Sequence, residues 1–188
     1  LSFFCSTSTR IEFWELFYSM NFLEKNLEDI VFETPNNLLE KRGLYVFGKK
    51  IRQLRVGNYG VSDMVSFSRG YYIDSSIRSH PFLFIQIFEF KKDNINKDTF
   101  FQIIKYAHGI KRYLTRKRKF YNFKIQINLV GASFENGSFP YLFDLFNVGE
   151  NTECGSCVHE VNGYTYKYDF DGISFEMICD YCLTNEGF

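Results

Sequence analysis

No stretch of this sequence approaches the roughly 20 consecutive apolar residues that cross a bilayer as a helix, so a membrane anchor of that kind is not expected. Net charge is lacking too. The 22 Lys and Arg balance the 22 Asp and Glu, and overall attraction to nucleic acid is excluded; a nucleic-acid partner has to be argued from local charge. The three histidines, His80, His108 and His159, lie far apart and suggest no histidine-based nucleophilic triad. Internal repeats and low-complexity linkers are lacking. The N-terminal stretch is apolar in patches, but Arg10, Glu12 and Glu15 interrupt it and no small-residue cleavage site follows. It does not read as a signal peptide. A reducing, cytoplasmic setting is therefore expected, in which the five cysteines serve metal or redox chemistry rather than a disulfide scaffold.

What is present is a core. Apolar residues make up 45% of the 188, and aromatics 20%, with 23 Phe, which points to an interior filled mainly by rings. The length suits one domain with a small appendage. The chain begins with Leu1 and suits one part of a longer protein; Met20 opens MNFLEKNLEDIVFE, which reads as a domain start, with residues 1–21 as an N-terminal extension.

Leu23, Leu27, Ile30 and Val31 recur at helical spacing, and Pro35 with Asn36-Asn37 ends that helix. GLYVFGKKIRQLRVG reads as a hairpin turning at Gly48 and its two lysines, and residues 61–68 as a further strand. FLFIQIFEF is apolar on both faces, as a central strand covered on both sides would be. Asp98 or Thr99 is expected to cap the next helix, whose core stripe is Ile103, Ala107, Ile110 and Leu114. FKIQINLVG is a fifth strand ending at Gly131, and YTYKYDFDGISFEMI a hairpin turning at Asp171-Gly172.

One constellation stands out in this order. Asp63 opens an apolar strand, Glu89 and Lys91 sit two apart at the end of the central one, and Gln102 and Tyr106 sit four apart on the next helix. Alternation puts Glu89 and Lys91 on one face, and helical spacing puts Gln102 and Tyr106 on one face. Two carboxylates and an amine at a sheet end suit a hard divalent cation, Mg²⁺ or Mn²⁺, beside a water and a phosphodiester. Taken alone, Glu89-x-Lys91 reads equally as a strand-end ion pair and Asp63 as a turn residue. The combination is more specific than either part.

On these residues the chain resembles the PD-(D/E)xK nuclease superfamily, in particular its RecB-like and NucS-like branches with a Q-x-x-x-Y helix. The resemblance covers about residues 22–131. It implies an α/β, restriction-endonuclease-like αβββαβ core, a mixed sheet flanked by helices, with residues 132–188 as a C-terminal β extension. It also implies Asp63 and Glu89 as ligands of the metal, Lys91 as the catalytic lysine, and Gln102 and Tyr106 as support for the site and the substrate strand. The family often carries a glutamate on its first helix; Glu28 is favoured here, with Glu24 in reserve. Ser62 stands where the family usually has proline.

Lys105, Lys111, Arg112, Arg116, Lys117, Arg118, Lys119 and Lys124 concentrate on and after the second helix as a candidate phosphate track. Tyr113, Phe120 and Tyr121 offer stacking surfaces. The alternative is a solvated helix end whose cations oppose the helix dipole. Cys154-x2-Cys157 and Cys179-x2-Cys182 have the spacing of a four-thiolate structural Zn²⁺ site across a hairpin, with His159 as a substitute ligand; unpaired cysteines are the alternative. The expected function is a Mg²⁺- or Mn²⁺-dependent deoxyribonuclease whose partner is DNA, as a homodimer or with further domains of a longer chain. The rival is a catalytically silent, nuclease-derived module that binds DNA or protein.

Overall fold

The computed structural model describes residues 23–73, 79–117, 122–135, 159–169 and 171–178. The four paired cysteines Cys154, Cys157, Cys179 and Cys182, together with Cys5, Arg118, Lys119, Phe120, Tyr121 and residues 1–21, lie outside them. In chain order the elements are α1 (Glu24–Glu33), α2 (Asn36–Lys41), β1 (Lys49–Arg55), a single 3-10 turn (Gly57–Tyr59), β2 (Val61–Ile73), β3 (Ser79–Phe90), β4 (Asn94–Ile95), α3 (Lys97–Lys117), β5 (Asn122–Gly131), β6 (Ser133–Phe134), β7 (His159–Asp169) and β8 (Gly172–Ile178).

The described residues are α/β. One mixed sheet of six strands runs β1-β2-β3-β5-β7-β8, and β4 and β6 form a separate two-stranded parallel pair. β1, β2 and β3 pair antiparallel in succession, β3 with β5 and β5 with β7 parallel, and β7 with β8 antiparallel. The hairpin at Asp171-Gly172 thus continues the central sheet beyond β5. No helix among the described residues is long and apolar enough to cross a membrane.

Each face of the sheet carries its own core, because β3 and β5 are apolar at successive positions. On one face Val65, Ile85, Ile87, Ile125, Ile127 and Leu129 pack against Phe100, Ile103, Ala107, Ile110 and Leu114 of α3. On the other, Met64, Phe88, Phe90, Val130 and Tyr164 pack against Leu27 and Val31 of α1 and Leu39 of α2. Leu23, expected on the first-helix stripe, is exposed. α3 is capped by Asn96, not by Asp98 or Thr99. The Asn96 Oδ1 accepts from both the backbone N–H and the hydroxyl of Thr99, each at 2.9 Å, which satisfies a donor at the helix start.

The expected hairpin over GLYVFGKKIRQLRVG is a single strand, β1. Residues 44–47 alternate in burial as a strand would, but this segment crosses the sheet rather than lying along it. The carbonyl of Arg42 accepts from the N–H of Phe175 in β8 (2.7 Å). Further on, the Gln86 side chain in β3 accepts from Phe47 N–H (2.7 Å) and donates to the Tyr45 carbonyl (2.9 Å). A buried amide takes the place of a neighbouring strand. The same Gln86 accepts from Ser66 Oγ (2.9 Å) and donates to Gln126 Oε1 (2.6 Å). Gln86→Leu strips all four groups of their partner, those of Ser66 and Gln126 in the buried interior, so we expect unfolding free energy in urea titrations to fall by about 2–4 kcal/mol; a loss below about 0.5 kcal/mol would contradict this role.

Candidate active site

The site is assembled by strand register. Gln53 lies between the pairs Arg52↔Met64 and Leu54↔Ser62, and so faces Asp63. One step beyond Met64↔Phe88, Asp63 faces Glu89, whose neighbour on β5 is Leu129. An acid at the start of β2 and an acid at the end of β3 are thus brought side by side because the two strands are antiparallel. Asp63 Oδ2 accepts from the N–H of Phe90 at 2.9 Å. The Lys91 N–H donates to the Val130 carbonyl (2.8 Å), which fixes the chain just past the end of β3.

Glu89 has 0% of its surface exposed. Its Oε1 accepts from Gln102 Nε2 at 2.8 Å and lies 3.3 Å from Lys91 Nζ. Its Oε2 is buried and has no hydrogen-bond partner among the described residues. Gln102 Nε2 also lies 2.7 Å from the hydroxyl of Tyr106, so the two residues one turn apart on α3 form a short chain of contacts ending at Glu89. Tyr106 is buried, and Gly60 makes room for it. A Cβ at Gly60 would come within 2.7 Å of the Tyr106 ring, and its φ of +118° is one that other residues rarely adopt.

Of the two first-helix acids, Glu24 is the one that reaches the lysine, with Lys91 Nζ donating to its Oε1 at 2.9 Å. Glu28 faces the same end of the sheet but is taken by β1. Arg52 Nε donates to Glu28 Oε1 at 2.5 Å, and Gln53 Nε2 lies 2.9 and 3.0 Å from its two oxygens. Successive strand side chains point to opposite faces, so two adjacent residues cannot ordinarily hold one carboxylate. Gln53 does so with a φ of +49°. Nothing in the sequence pattern signals this clamp. Arg52 also pairs with Asp29, which ties α1 to the edge of the sheet.

The electrostatics follow from this crowding. Burial first, and then the charge of Asp63, push the Glu89 carboxyl up to about 8. Burial pushes Asp63 up to about 6, against the pull of its bond from Phe90 N–H and the charge of Lys91. Burial pulls the Lys91 ammonium down, but the bond to Glu24 and the charges of Glu89, Glu24 and Asp63 outweigh it and hold it above its ordinary value. Lys91 is therefore a cation that donates and orients, with no tendency to take up a proton. Burial raises the Tyr106 hydroxyl, so it too stays protonated.

A carboxylate oxygen buried with no donor, beside a second carboxylate, is a donor set for a hard cation. Among the described residues no group of three or more His, Cys, Asp or Glu side chains is arranged to hold a metal ion. Mg²⁺ asks for less, since it commonly keeps several waters and takes one or two carboxylates. Asp63 and Glu89 fit that requirement.

The basic residues divide. Lys105, Lys111, Arg112 and Arg116 line a groove of about 560 Å³ together with Tyr59, His108 and Thr115. Lys124 is elsewhere: it pairs with Glu160 and stands 5.9 Å from the Phe84 ring centroid, at the alternate strand positions shared with Gln126, away from α3. Lys117 ends α3. No protein-family model, curated protein or solved structure matches this chain, and the functional reading rests on its own residues.

The raised Glu89 carboxyl has a measurable consequence. A carboxyl whose folded pKa exceeds its unfolded value binds its proton more tightly in the native state, so its cost is absent below about 4.5 and complete above about 8. In EDTA, Glu89→Gln is expected to be more stable than wild type at pH 8.5 by at least about 1 kcal/mol, with the advantage vanishing toward pH 4.5. Urea titrations across that range check it; a variant less stable at pH 8.5 than at pH 5, relative to wild type, contradicts it.

Proposed function

We propose that the chain is a metal-dependent deoxyribonuclease of the PD-(D/E)xK type, with a restriction-endonuclease-like core running from α1 to β5. The observation that carries the proposal is the buried Oε2 of Glu89 beside Asp63, unpartnered among the described residues, because a fold gains nothing in stability from such a pair. Support comes from the order α1, β1, β2, β3, α3, β5, from Lys91 as a held cation, and from the Gln102–Tyr106 contact with Glu89.

In this reading Asp63 and Glu89 hold Mg²⁺ or Mn²⁺, which when bound polarises the phosphodiester and lowers the pKa of water. Lys91 orients the attacking water and offsets the negative charge that develops on the phosphorane. Water attacks phosphorus in line and gives up its proton to solvent, the opposite P–O bond breaks, and the departing oxygen takes a proton from solvent. Gln102 keeps Glu89 Oε1 turned toward the helix, so that Oε2 is the oxygen left for the cation. Glu24 fixes the reach of Lys91 across the strand end.

Cleavage of labelled single- and double-stranded DNA is expected with Mg²⁺ or Mn²⁺ and not with EDTA. Lys91→Ala should lower the cleavage rate by at least about 100-fold, the scale of one lost electrostatic or proton-handling group, while metal binding persists. Asp63→Ala should remove both. Wild-type turnover by Lys91→Ala would sink its role, and a folded wild-type protein that cuts neither substrate would leave a nuclease-derived binding module as the better account.

A further inference from the structure

The outer side of α3 carries a feature that the acids and Lys91 do not use. Lys105, His108, Arg112 and Arg116 recur at intervals of three and four, which lines them along one side of the helix. Lys111 and Thr115 complete that wall, and Tyr59 from the 3-10 turn forms the facing one. Among the described residues no carboxylate lines this groove, in a chain whose total charge is zero. A solvated helix end needs only exposed cations; this one has a built wall. A Cβ at Gly109 would meet Val56 at 2.6 Å and the Tyr59 ring at 2.8 Å, so glycine there lets the turn sit directly on the helix. Arg112 Nη1 lies 3.3 Å from the Tyr59 hydroxyl, which holds the guanidinium across the groove. Tyr59 is half-buried, leaving part of its ring available for contact.

The groove also has a fixed relation to the acids. Lys105 is three residues beyond Gln102 on the same helix, and Tyr59 precedes Gly60, whose close approach seats Tyr106. From Lys105 to Arg116 the cations extend about 16 Å along α3, at 1.5 Å per residue, leading away from Glu89. A line of cations, Lys105, Lys111, Arg112 and Arg116, without intervening acids along the helix matches a phosphodiester backbone, whose charges repeat along a line. Scattered carboxylates of an acidic peptide have no such repeat.

We propose that this groove holds the phosphodiester backbone of a nucleic-acid strand on one side of the bond that is cut, so that the site requires several nucleotides of strand on that side and not on the other. The one-sided requirement rests on the nuclease reading; the binding itself does not. Single strands and duplexes present the same backbone, and the test separates them.

Fluorescently labelled single- and double-stranded oligonucleotides are titrated in EDTA, where no cutting occurs, with wild type, Arg112→Glu/Arg116→Glu and Lys91→Ala. Retention of the wild-type circular dichroism spectrum identifies variants that fold. For the preferred strand form, the double reversal is expected to weaken binding at least tenfold and to lower the slope of log K against log salt by about 1.4 on a single strand or 1.8 on a duplex. Lys91→Ala should leave the slope within about one unit of wild type. Binding that is unchanged by Arg112→Glu/Arg116→Glu, or that is lost equally to polyglutamate competition at matched charge, overturns the groove, whether or not the protein cuts DNA. With Mg²⁺ present, oligonucleotides extended on one side of the cut should be cleaved faster than those extended on the other, and the reversal should erase the difference. Equal rates with both extensions in wild type would overturn the one-sided placement while leaving the nuclease reading standing.

Discussion

A carboxylate with no exposed surface, at the end of a strand covered on both sides, is the constraint around which this structure is arranged. Removing such a group from water costs several kcal/mol unless partners replace its hydration. Among the described residues Glu89 has partners for one oxygen only, Gln102 and Lys91, and its other oxygen has none. Asp63 beside it adds repulsion rather than relief. Protons ease the strain when no cation is present, which is why both carboxyls are raised. Stability given up at one place in an otherwise well-packed sheet is the mark of a site selected for something besides folding.

The surrounding elements hold this cluster in place. Antiparallel register puts Asp63 opposite Glu89, and the β3–β5 pairing with the Lys91–Val130 bond keeps the strand end from fraying. α1 is fixed to the sheet edge through Glu28 and Asp29 on Arg52 and Gln53, one turn from Glu24. Backbone at positive φ in a residue other than glycine costs roughly 1–3 kcal/mol. At Gln53 this conformation directs a second donor to Glu28 that a regular strand would turn to the other face. The clamp and the Glu24–Lys91 bond thus act along one helix: the first sets where α1 lies, the second where the ammonium points.

The parts of this arrangement visible in the sequence are those governed by period and pairing. The α3 stripe Ile103, Ala107, Ile110 and Leu114 is buried because helical spacing decides it, and β3 is central because both of its faces are apolar. Asp63 and Glu89 meet because consecutive strands usually pair antiparallel. Other features depend on what a side chain finds in three dimensions. Residues 44–47 alternate like a strand, but alternation does not say that Gln86 rather than another strand will satisfy their backbone. Glu24 and Glu28 share a helix face, and only the positions of Arg52 and Gln53 decide that Glu28 is taken by β1 and Glu24 is left to meet Lys91. Lys124 follows the basic run in sequence, yet strand alternation sends it to the face opposite α3. Asn96 outcompetes Asp98 and Thr99 as the cap because the helix begins at Lys97, two or three residues earlier than a cap at either of them implies.

The central claim is that Asp63 and the free oxygen of Glu89 together form a cation site. The most direct measurement is titration of the metal-free protein with Mn²⁺, followed by electron paramagnetic resonance of the free ion, with calorimetry in two buffers of different ionisation enthalpy. The account predicts at least one bound Mn²⁺ per chain, release of about one proton near pH 7 as the cation displaces it from the raised carboxyls, and loss of binding in Glu89→Gln. Folded wild-type protein that binds no Mn²⁺ at millimolar concentration, or a Glu89→Gln variant that binds it as well as wild type, would contradict the account.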